Sequence, residues 1–262
     1  MNLRPCHRWF AFMAFSGAAI AVARPSPAGM ALIPPGDYKP VFRTADAPAS
    51  LSVPAFYLDI QPVTNAEFLA FVRAEPKWRR SQASPIFADP GYLGDWMGDL
   101  ELGPRVPADS PVVLVSWFAA KAYAHWRGRR LPTTAEWERA EAAGYTTAVG
   151  ANEAAYRKAV LGWFAAPAPM PLPAVDSGRP NFYGVRDLID LVWEWVDDFN
   201  SALLTGESRS DSQLDSNLFC GAAAAGARSF TDYPAFMRMG FRSSLRASYV
   251  MPNLGFRCAQ SP

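Results

Sequence analysis

Proline and glycine are spread along the whole chain, and they limit the length of every helix and strand. The 262 residues include 24 prolines and 18 glycines. Proline removes a backbone donor and blocks helix interiors, and glycine weakens both kinds of element. We therefore expect short strands, a few helices and long loops, arranged as an α+β fold.

Three local patterns predict where helices begin. Residues 64–67 and 133–136 both read Thr-x-x-Glu, the form of a capping box, in which the two side chains satisfy the first free amides of a helix. Ser116 can cap a third helix over 117–126. Strands are predicted for the short apolar runs 30–33, 56–60 and 112–115.

The first residues have the pattern of a secretory signal peptide. Arg4 and Arg8 precede an apolar run that ends in residues 21–23, Ala-Val-Ala, a small-x-small cleavage site. This run is shorter than the roughly 20 residues that cross a bilayer, and no later segment could serve as a membrane anchor. We therefore predict a signal peptide over 1–23 and a single domain over 24–262, periplasmic or secreted.

The charge balance gives no reason to expect nucleic acid or an anionic membrane surface as a partner. The chain has 25 Lys and Arg residues against 24 Asp and Glu, a formal net charge of +1. No long run of one sign concentrates that charge. Neither kind of partner is predicted.

Two cysteines remain once the signal peptide, which contains Cys6, is removed. In an oxidising compartment, Cys220 and Cys258 most simply form one disulfide. The alternative is a pair of thiolates that bind a soft metal such as copper. The residues alone leave both interpretations open.

Acidic residues are concentrated around Trp193. Asp187, Asp190 and Glu194 are spaced to share one face of a helix, or to converge in a loop. Several carboxylate and carbonyl oxygens at close range suit calcium. By spacing alone, a solvated acidic face is the simpler interpretation.

Five stretches in a fixed order connect the chain to a known family. They are MALIPPGDY at 30–38, FYLDIQPVTNAEFLAFV at 56–72, PVVLVSWFAAKAYAHWRGRRLPTTAEWERA at 111–140, NFYGVRDLIDLVWEW at 181–195 and NLGFRCA at 253–259. Together they resemble the sulfatase-modifying factor family, also called the formylglycine-generating enzymes. The resemblance implies a single-domain α+β fold that is a variant of the C-type lectin fold.

The resemblance also implies a structural calcium site in the acidic segment. Its ligands would be the side chains of Asp187 and Glu194 and the backbone carbonyls of Asp190 and Val192. Family members usually have asparagine at the first of these positions, and aspartate is an equal or better calcium ligand. Calcium is therefore the expected cofactor.

The chemistry of the family's oxidising members depends on residues that this chain lacks. The resemblance places their copper-binding cysteine pair in the stretch 230–246, near Tyr233 and Arg238, and this stretch contains no cysteine. We therefore expect no standard conversion of cysteine to formylglycine, and no cysteine pair supports copper. The three-histidine iron site of the sulfur-transferring branch is also excluded, because the chain has two histidines and His7 leaves with the signal peptide.

The same stretch would contribute to the family's substrate groove. Met237 and Met239 could bind cuprous copper, but packing within a strand is the commoner role of such a pair. The arginines suit either a carboxylate-bearing client or local acids. The groove candidates are Trp193, Arg228, Tyr233, Arg238 and Arg242.

These features predict an exported accessory or maturation factor that binds a client protein or peptide. The Asp-rich stretch 205–217 and the two cysteine segments also resemble the subgroup encoded beside copper-containing nitrite reductases, which would make the client a copper-containing redox enzyme. The alternative is an oxidoreductase that acts on a peptide or small molecule through other groove residues. A stoichiometric complex would favour the first, and oxygen consumption the second.

Overall fold

The computed structural model describes most of the predicted domain. The signal peptide, Cys220 and Arg228 lie outside the described residues. Within them, no helix is both long and apolar enough to cross a membrane. The described ranges are 26–40, 48–167, 169–200 and 233–262.

A three-stranded antiparallel sheet joins the beginning and the end of the described chain. Strand β1 (Met30–Ile33) pairs with β4 (Phe56–Asp59), which pairs on its other side with β7 (Ala259–Gln260). Strands β2 (Gly36–Tyr38) and β3 (Leu51–Val53) form a separate antiparallel pair. Two of the predicted strands are confirmed as β1 and β4, the second being one residue shorter than expected.

A parallel pair of strands brings the Trp-Glu-Trp segment beside the last of the five sequence stretches. Strand β5 (Trp193–Trp195) pairs with β6 (Leu254–Phe256), and Glu194 lies opposite Gly255. A Cβ atom at Gly255 would lie 2.7 Å from the carbonyl oxygen of Val112. Only glycine therefore allows this close approach of the backbones.

The three predicted helix starts are confirmed. Thr64 and Thr133 each accept a hydrogen bond from the amide of the glutamate three residues on, and Glu67 and Glu136 accept from the cap amides in return. Ser116 caps its helix in the simpler way, by accepting from one amide. The helices are α1 (Asn65–Ala74), α2 (Trp117–Trp126) and α3 (Thr134–Glu141).

Two further helices were not predicted. They are α4 (Ala154–Ala165) and α5 (Tyr233–Ser243). Met237 and Met239 lie in α5, so the expectation that they pack within a strand is wrong. The buried positions of α5 include Pro234, Arg238 and Arg242, which follow the four-residue spacing of a helix face. Short 3₁₀ helices cover Pro76–Trp78 and Gly150–Asn152.

The strand predicted over 112–115 is also wrong. The backbone of Leu114 has a φ of 57°, in the left-handed region that interrupts a strand. The amide of Val112 donates to the carbonyl of Val63 at 2.9 Å, and that of Leu114 donates to the carbonyl of Met251 at 3.0 Å. This segment therefore bridges two distant parts of the chain instead of extending one sheet.

Aromatic rings pack α1, α2 and β6 together. The ring centroid of Phe68 lies 5.8 Å from that of Tyr123 and 6.1 Å from that of Phe256. Tyr123 and Phe256 make an edge contact at 5.3 Å, and all three residues are buried. Aromatic pairs in these geometries stabilise a core beyond the area that they bury. Dense ring packing thus compensates for the short length of the elements.

Replacing Thr64 with alanine tests whether the cap supports the fold. We expect the free energy of unfolding to fall by about 1 kcal/mol, because the amide of Glu67 loses its acceptor. Urea denaturation followed by circular dichroism measures the change. Thr64→Ser keeps the oxygen and should stay near wild type, so an equal loss in both variants would refute the role of the cap.

Candidate functional site

Arg257 and Glu194 form an ion pair in which both side chains are completely buried. The Nε of Arg257 lies 2.8 Å from Oε2 of Glu194, and its Nη2 lies 2.8 Å from Oε1. A buried charge is stable only when it is paired and its donors are satisfied. The remaining donors of the guanidinium reach four backbone carbonyls, those of Asp59, Ile60, Arg186 and Asp187.

Trp137 connects this ion pair to a second group of charges. Its indole Nε1 donates to Oε2 of Glu194 at 2.7 Å. The guanidinium carbons of Arg242 and Arg238 lie 4.7 Å and 5.4 Å from its ring centroid. A cation over an indole face is attracted by the negative charge on that face. One tryptophan on α3 therefore contacts both charge centres.

Four charged side chains form a buried ionic cluster between α3 and α5. Arg238 donates through Nε and Nη2 to the two carboxylate oxygens of Glu138, at 3.0 Å and 2.7 Å. Its Nη2 also donates to Glu141 at 2.8 Å, and Arg242 donates to Glu138 at 2.5 Å. We call these four residues the buried ionic cluster.

The two glutamates of the buried ionic cluster differ in their electrostatic surroundings. Burial disfavours the charged form of Glu138, but the attraction of Arg238 and Arg242 outweighs it and holds the pKa of this carboxyl below its ordinary value. Glu141 is hydrogen-bonded to only one of the arginines, and burial raises its pKa. The cluster therefore fixes α5 on α3 chiefly through Glu138.

The sequence-predicted groove residues separate into two groups. Arg238 and Arg242 are 5% and 3% exposed, and they point into the buried ionic cluster. From the sequence, these arginines could bind either a carboxylate-bearing client or local acids. In the structure they bind local acids, and they do not line an open groove. Trp193 and Tyr233 instead reach the surface, and Arg228 lies outside the described residues.

Five aromatic side chains from α4, β5 and α5 meet at the surface. Trp193 stacks on Phe241 with ring centroids 4.3 Å apart and contacts Trp163 at 5.0 Å. Phe164 contacts Trp193 at 5.7 Å and Tyr233 at 6.4 Å. Tyr233 is 38% exposed and the other four are half-buried. We call these residues the aromatic surface cluster, and it offers rigid apolar faces to a binding partner.

Glu194, one of the predicted calcium ligands, is already saturated with hydrogen bonds. Each carboxylate oxygen of Glu194 accepts two hydrogen bonds, three of the four coming from Arg257 and one from Trp137. No lone pair of Glu194 is then left for a cation. The described residues contain no group of three or more His, Cys, Asp or Glu side chains able to hold a metal. This arrangement does not fit a calcium site that requires Glu194.

Asp187 and Asp190 do lie together, in a loop and not on a helix. A Cβ atom at Gly178 would clash with Oδ1 of Asp187 and lie 2.6 Å from Oδ2 of Asp190. The amide of Gly178 donates to Oδ1 of Asp187, whose Oδ2 is buried without a partner. Burial and the neighbouring Asp190 raise the pKa of Asp187 to about 6. Of the predicted side-chain ligands, only Asp187 thus keeps a free buried oxygen.

Cys258 is buried. Its amide donates to Oδ2 of Asp59 at 2.8 Å. Burial, together with the carboxylate of Asp59, raises the pKa of the thiol well above its ordinary value, which disfavours the thiolate that a metal would need. Because Cys220 lies outside the described residues, the disulfide stays a prediction.

Sequence reasoning missed the partners that organise the site. Arg257 lies inside an otherwise apolar run, a placement that already demands a buried acceptor. Glu141 lies four residues after Trp137 and therefore on the same helix face. No sequence signal relates Glu138 to Arg238, because the two are 100 positions apart.

Comparison with known proteins identifies the family. The sequence pattern of the sulfatase-modifying factor enzyme 1-like domain matches residues 17–262. The chain therefore belongs to this family and has its α+β fold.

Three relatives with different names have similar sequence identities to the chain. It is 30% identical to the formylglycine-generating enzyme of Streptomyces coelicolor, over 78% of this chain and 77% of that protein. It is 30% identical to the inactive C-alpha-formylglycine-generating enzyme 2 of Mus musculus, over 86% and 82%. It is 32% identical to the hercynine oxygenase of Mycolicibacterium smegmatis, over 69% of this chain and 48% of that protein. The chain thus spans about half the length of this hercynine oxygenase.

Replacing Glu194 with glutamine tests the central ion pair. We expect the free energy of unfolding to fall by about 3 to 5 kcal/mol, because the charge of Arg257 stays buried without a counterion. Chemical denaturation measures the loss. The matched control is Asp197→Asn, which breaks a surface pair with Lys121 and should cost less than about 1 kcal/mol.

A double-mutant cycle separates the pair from simple loss of packing. Glu194→Gln combined with Arg257→Met should be less destabilising than the sum of the single changes, because no charge is left unpaired. Additive losses would contradict the assigned interaction.

Proposed function

We propose that this protein is an exported accessory or maturation factor that binds a client protein or peptide. In this proposal the aromatic surface cluster is the client contact, and the protein does not convert cysteine to formylglycine. Membership of the family establishes the fold. Two features of the structure, the burial of Arg238 and the aromatic surface cluster, support the proposed function.

The observation that carries the proposal is the burial of Arg238. The family resemblance places the copper-binding cysteine pair near Tyr233 and Arg238. Here the guanidinium of Arg238 binds Glu138 and Glu141 inside the buried ionic cluster. A smaller uncharged residue would leave Glu141 without its arginine and Glu138 with Arg242 alone, at a cost in stability. In this proposal Arg238 therefore stabilises the fold and takes no part in oxidation.

The aromatic surface cluster supports the binding half of the proposal. It includes Trp193 and Tyr233, both expected in the groove from the sequence. Tryptophan and tyrosine are enriched among residues that dominate binding energy at protein interfaces, because they bury large rigid surfaces at little entropic cost. A client would cover these rings and pack against Trp193, which contacts three of the other four.

The relatives support two different candidate activities. The match to an inactive formylglycine-generating enzyme favours a non-oxidising role. The match to a hercynine oxygenase favours a second candidate, an oxidoreductase acting on a peptide or small molecule. Oxygen consumption with a defined substrate would favour that second candidate, whereas a stoichiometric complex without turnover would favour the accessory factor.

The class of client is proposed from the sequence resemblance alone. The Asp-rich stretch 205–217, which lies outside the described residues, resembles the subgroup encoded beside copper-containing nitrite reductases. A copper-containing redox enzyme of the periplasm is therefore the proposed client. Calcium has no role in this proposal, because Glu194 is committed to Arg257.

An activity assay tests the missing oxidation. The protein without its signal peptide should leave a cysteine-containing substrate peptide unchanged when copper and oxygen are supplied, because no cysteine lies in the stretch 230–246. Mass spectrometry of the peptide reads the result, with the Streptomyces coelicolor enzyme as positive control. Formation of the aldehyde would contradict the proposal.

A capture experiment tests client binding. Tagged protein purified from its own cell envelope should carry one client in stoichiometric amount, and Trp193→Ala and Tyr233→Ala should lose it. Phe182→Ala is the matched control, since Phe182 is an exposed aromatic residue outside the aromatic surface cluster. Equal recovery with all variants would reject this surface, and elemental analysis of the client would show whether it contains copper.

A further inference from the structure

An open groove lies between the end of α1, the first 3₁₀ helix and α2. Its volume is about 440 Å³, within the range of roughly 300 to 1,000 Å³ that is usual for ligand sites. None of its lining residues belongs to the aromatic surface cluster. The groove is therefore a separate place on the molecule, and a ligand bound there would be independent of the proposed client contact.

Aromatic rings form much of the groove. Trp117 and Phe118 contact each other at 5.4 Å, and Phe71 contacts Trp126 at 5.6 Å. Trp78 also lines the groove. Trp126 is 39% exposed, so part of its ring is accessible to a ligand. The groove thus offers apolar faces that an anchoring side chain could bury.

Basic residues lie at the rim of the same groove. Lys77, Lys121, Arg129 and Arg130 line the groove, together with the acids Glu75 and Asp197. Arg129 and Arg130 are paired with Asp59 and Glu136, which leaves the two lysines as the exposed cations of the lining. The side chains of Lys77 and Lys121 are 72% and 50% exposed, and they pair with Glu75 and Asp197. Exposed pairs of this kind contribute little stability and exchange partners readily. The lysines are therefore available to a ligand.

We propose that this groove binds an acidic peptide segment of a partner protein, with an aromatic or large aliphatic anchor residue. The anchor would pack against Trp126, beside Trp117, over whose ring the ammonium of Lys121 lies. Acidic side chains beside it would pair with Lys77 and Lys121 at the rim. Backbone amides of the segment would donate to the carboxylates released from the lysines, so that each group of the groove gains a partner.

The carboxylates also distinguish a peptide from a nucleic acid. A phosphate backbone has no hydrogen-bond donors for the carboxylates of Glu75 and Asp197. A peptide has one amide donor at nearly every residue. The mixture of acids, bases and rings around the groove therefore fits a peptide better than a nucleic acid.

Selection from a random peptide library displayed on phage tests the proposal. The selected peptides should be rich in Asp and Glu beside an aromatic or large aliphatic residue. In a fluorescence binding assay with the consensus peptide, Lys121→Glu and Trp126→Ala should weaken binding at least about tenfold. Lys158→Glu and Phe182→Ala are matched controls, being exposed residues outside the groove, and should bind normally.

Several results would overturn the proposal. They are a library that yields no binders, binders without acidic residues, variants that bind as tightly as wild type, or competition of the peptide by a mixed-sequence single-stranded DNA. Thermal melting of each variant shows whether it is folded, and if Trp126→Ala is not, Lys77→Glu takes its place. Tyr233→Ala should bind the peptide normally, which keeps this test distinct from that of client capture.

Discussion

The guanidinium of Arg257 is the point at which distant parts of this fold meet. It contacts the backbone at the end of β4, the loop before β5 and the carboxylate in the centre of β5. A completely buried cation has no access to water, so each of these segments must stay in place to supply an acceptor. The carboxylate of Glu194 is therefore unavailable to any other ligand. One interaction thus explains both the close packing of short elements and why Glu194 offers no free oxygen to a metal ion.

In the buried ionic cluster, too, each buried charge is held next to an opposite charge. Arg238 and Arg242 belong to a helix that no local sequence pattern predicted, and their charges hold that helix against α3. Trp137 lies between the two centres and contacts each through a different part of its indole, the N–H on one side and the ring face on the other. In this structure α5, within the stretch that the sequence resemblance associates with the copper site of oxidising members, is held by buried charges.

The features that could be predicted from sequence are those with local causes. Thr64, Ser116 and Thr133 predicted their helices correctly because a cap and the amides it satisfies lie within three residues. The run at 112–115 looked like a strand because its residues are apolar, yet its amides bond to segments far away in sequence. The pairing of Arg238 with Glu138 spans 100 positions, and the roles of both residues depend on it. Composition and short motifs carry no information about contacts between residues so far apart in the sequence.

The pairing of β4 with β7 has a consequence for how the chain folds. Arg257 and its acceptor at Asp59 are separated by 198 positions, so early and late parts of the chain complete each other. The chain must close this long loop before the contacts between its ends can stabilise it. Topologies with such long-range contacts typically fold slowly. While the polypeptide is being synthesised, β1 and β4 have no third strand and the carboxylate of Glu194 has no counterion. The chain therefore remains open to chaperones until β6 and β7 are available to pair.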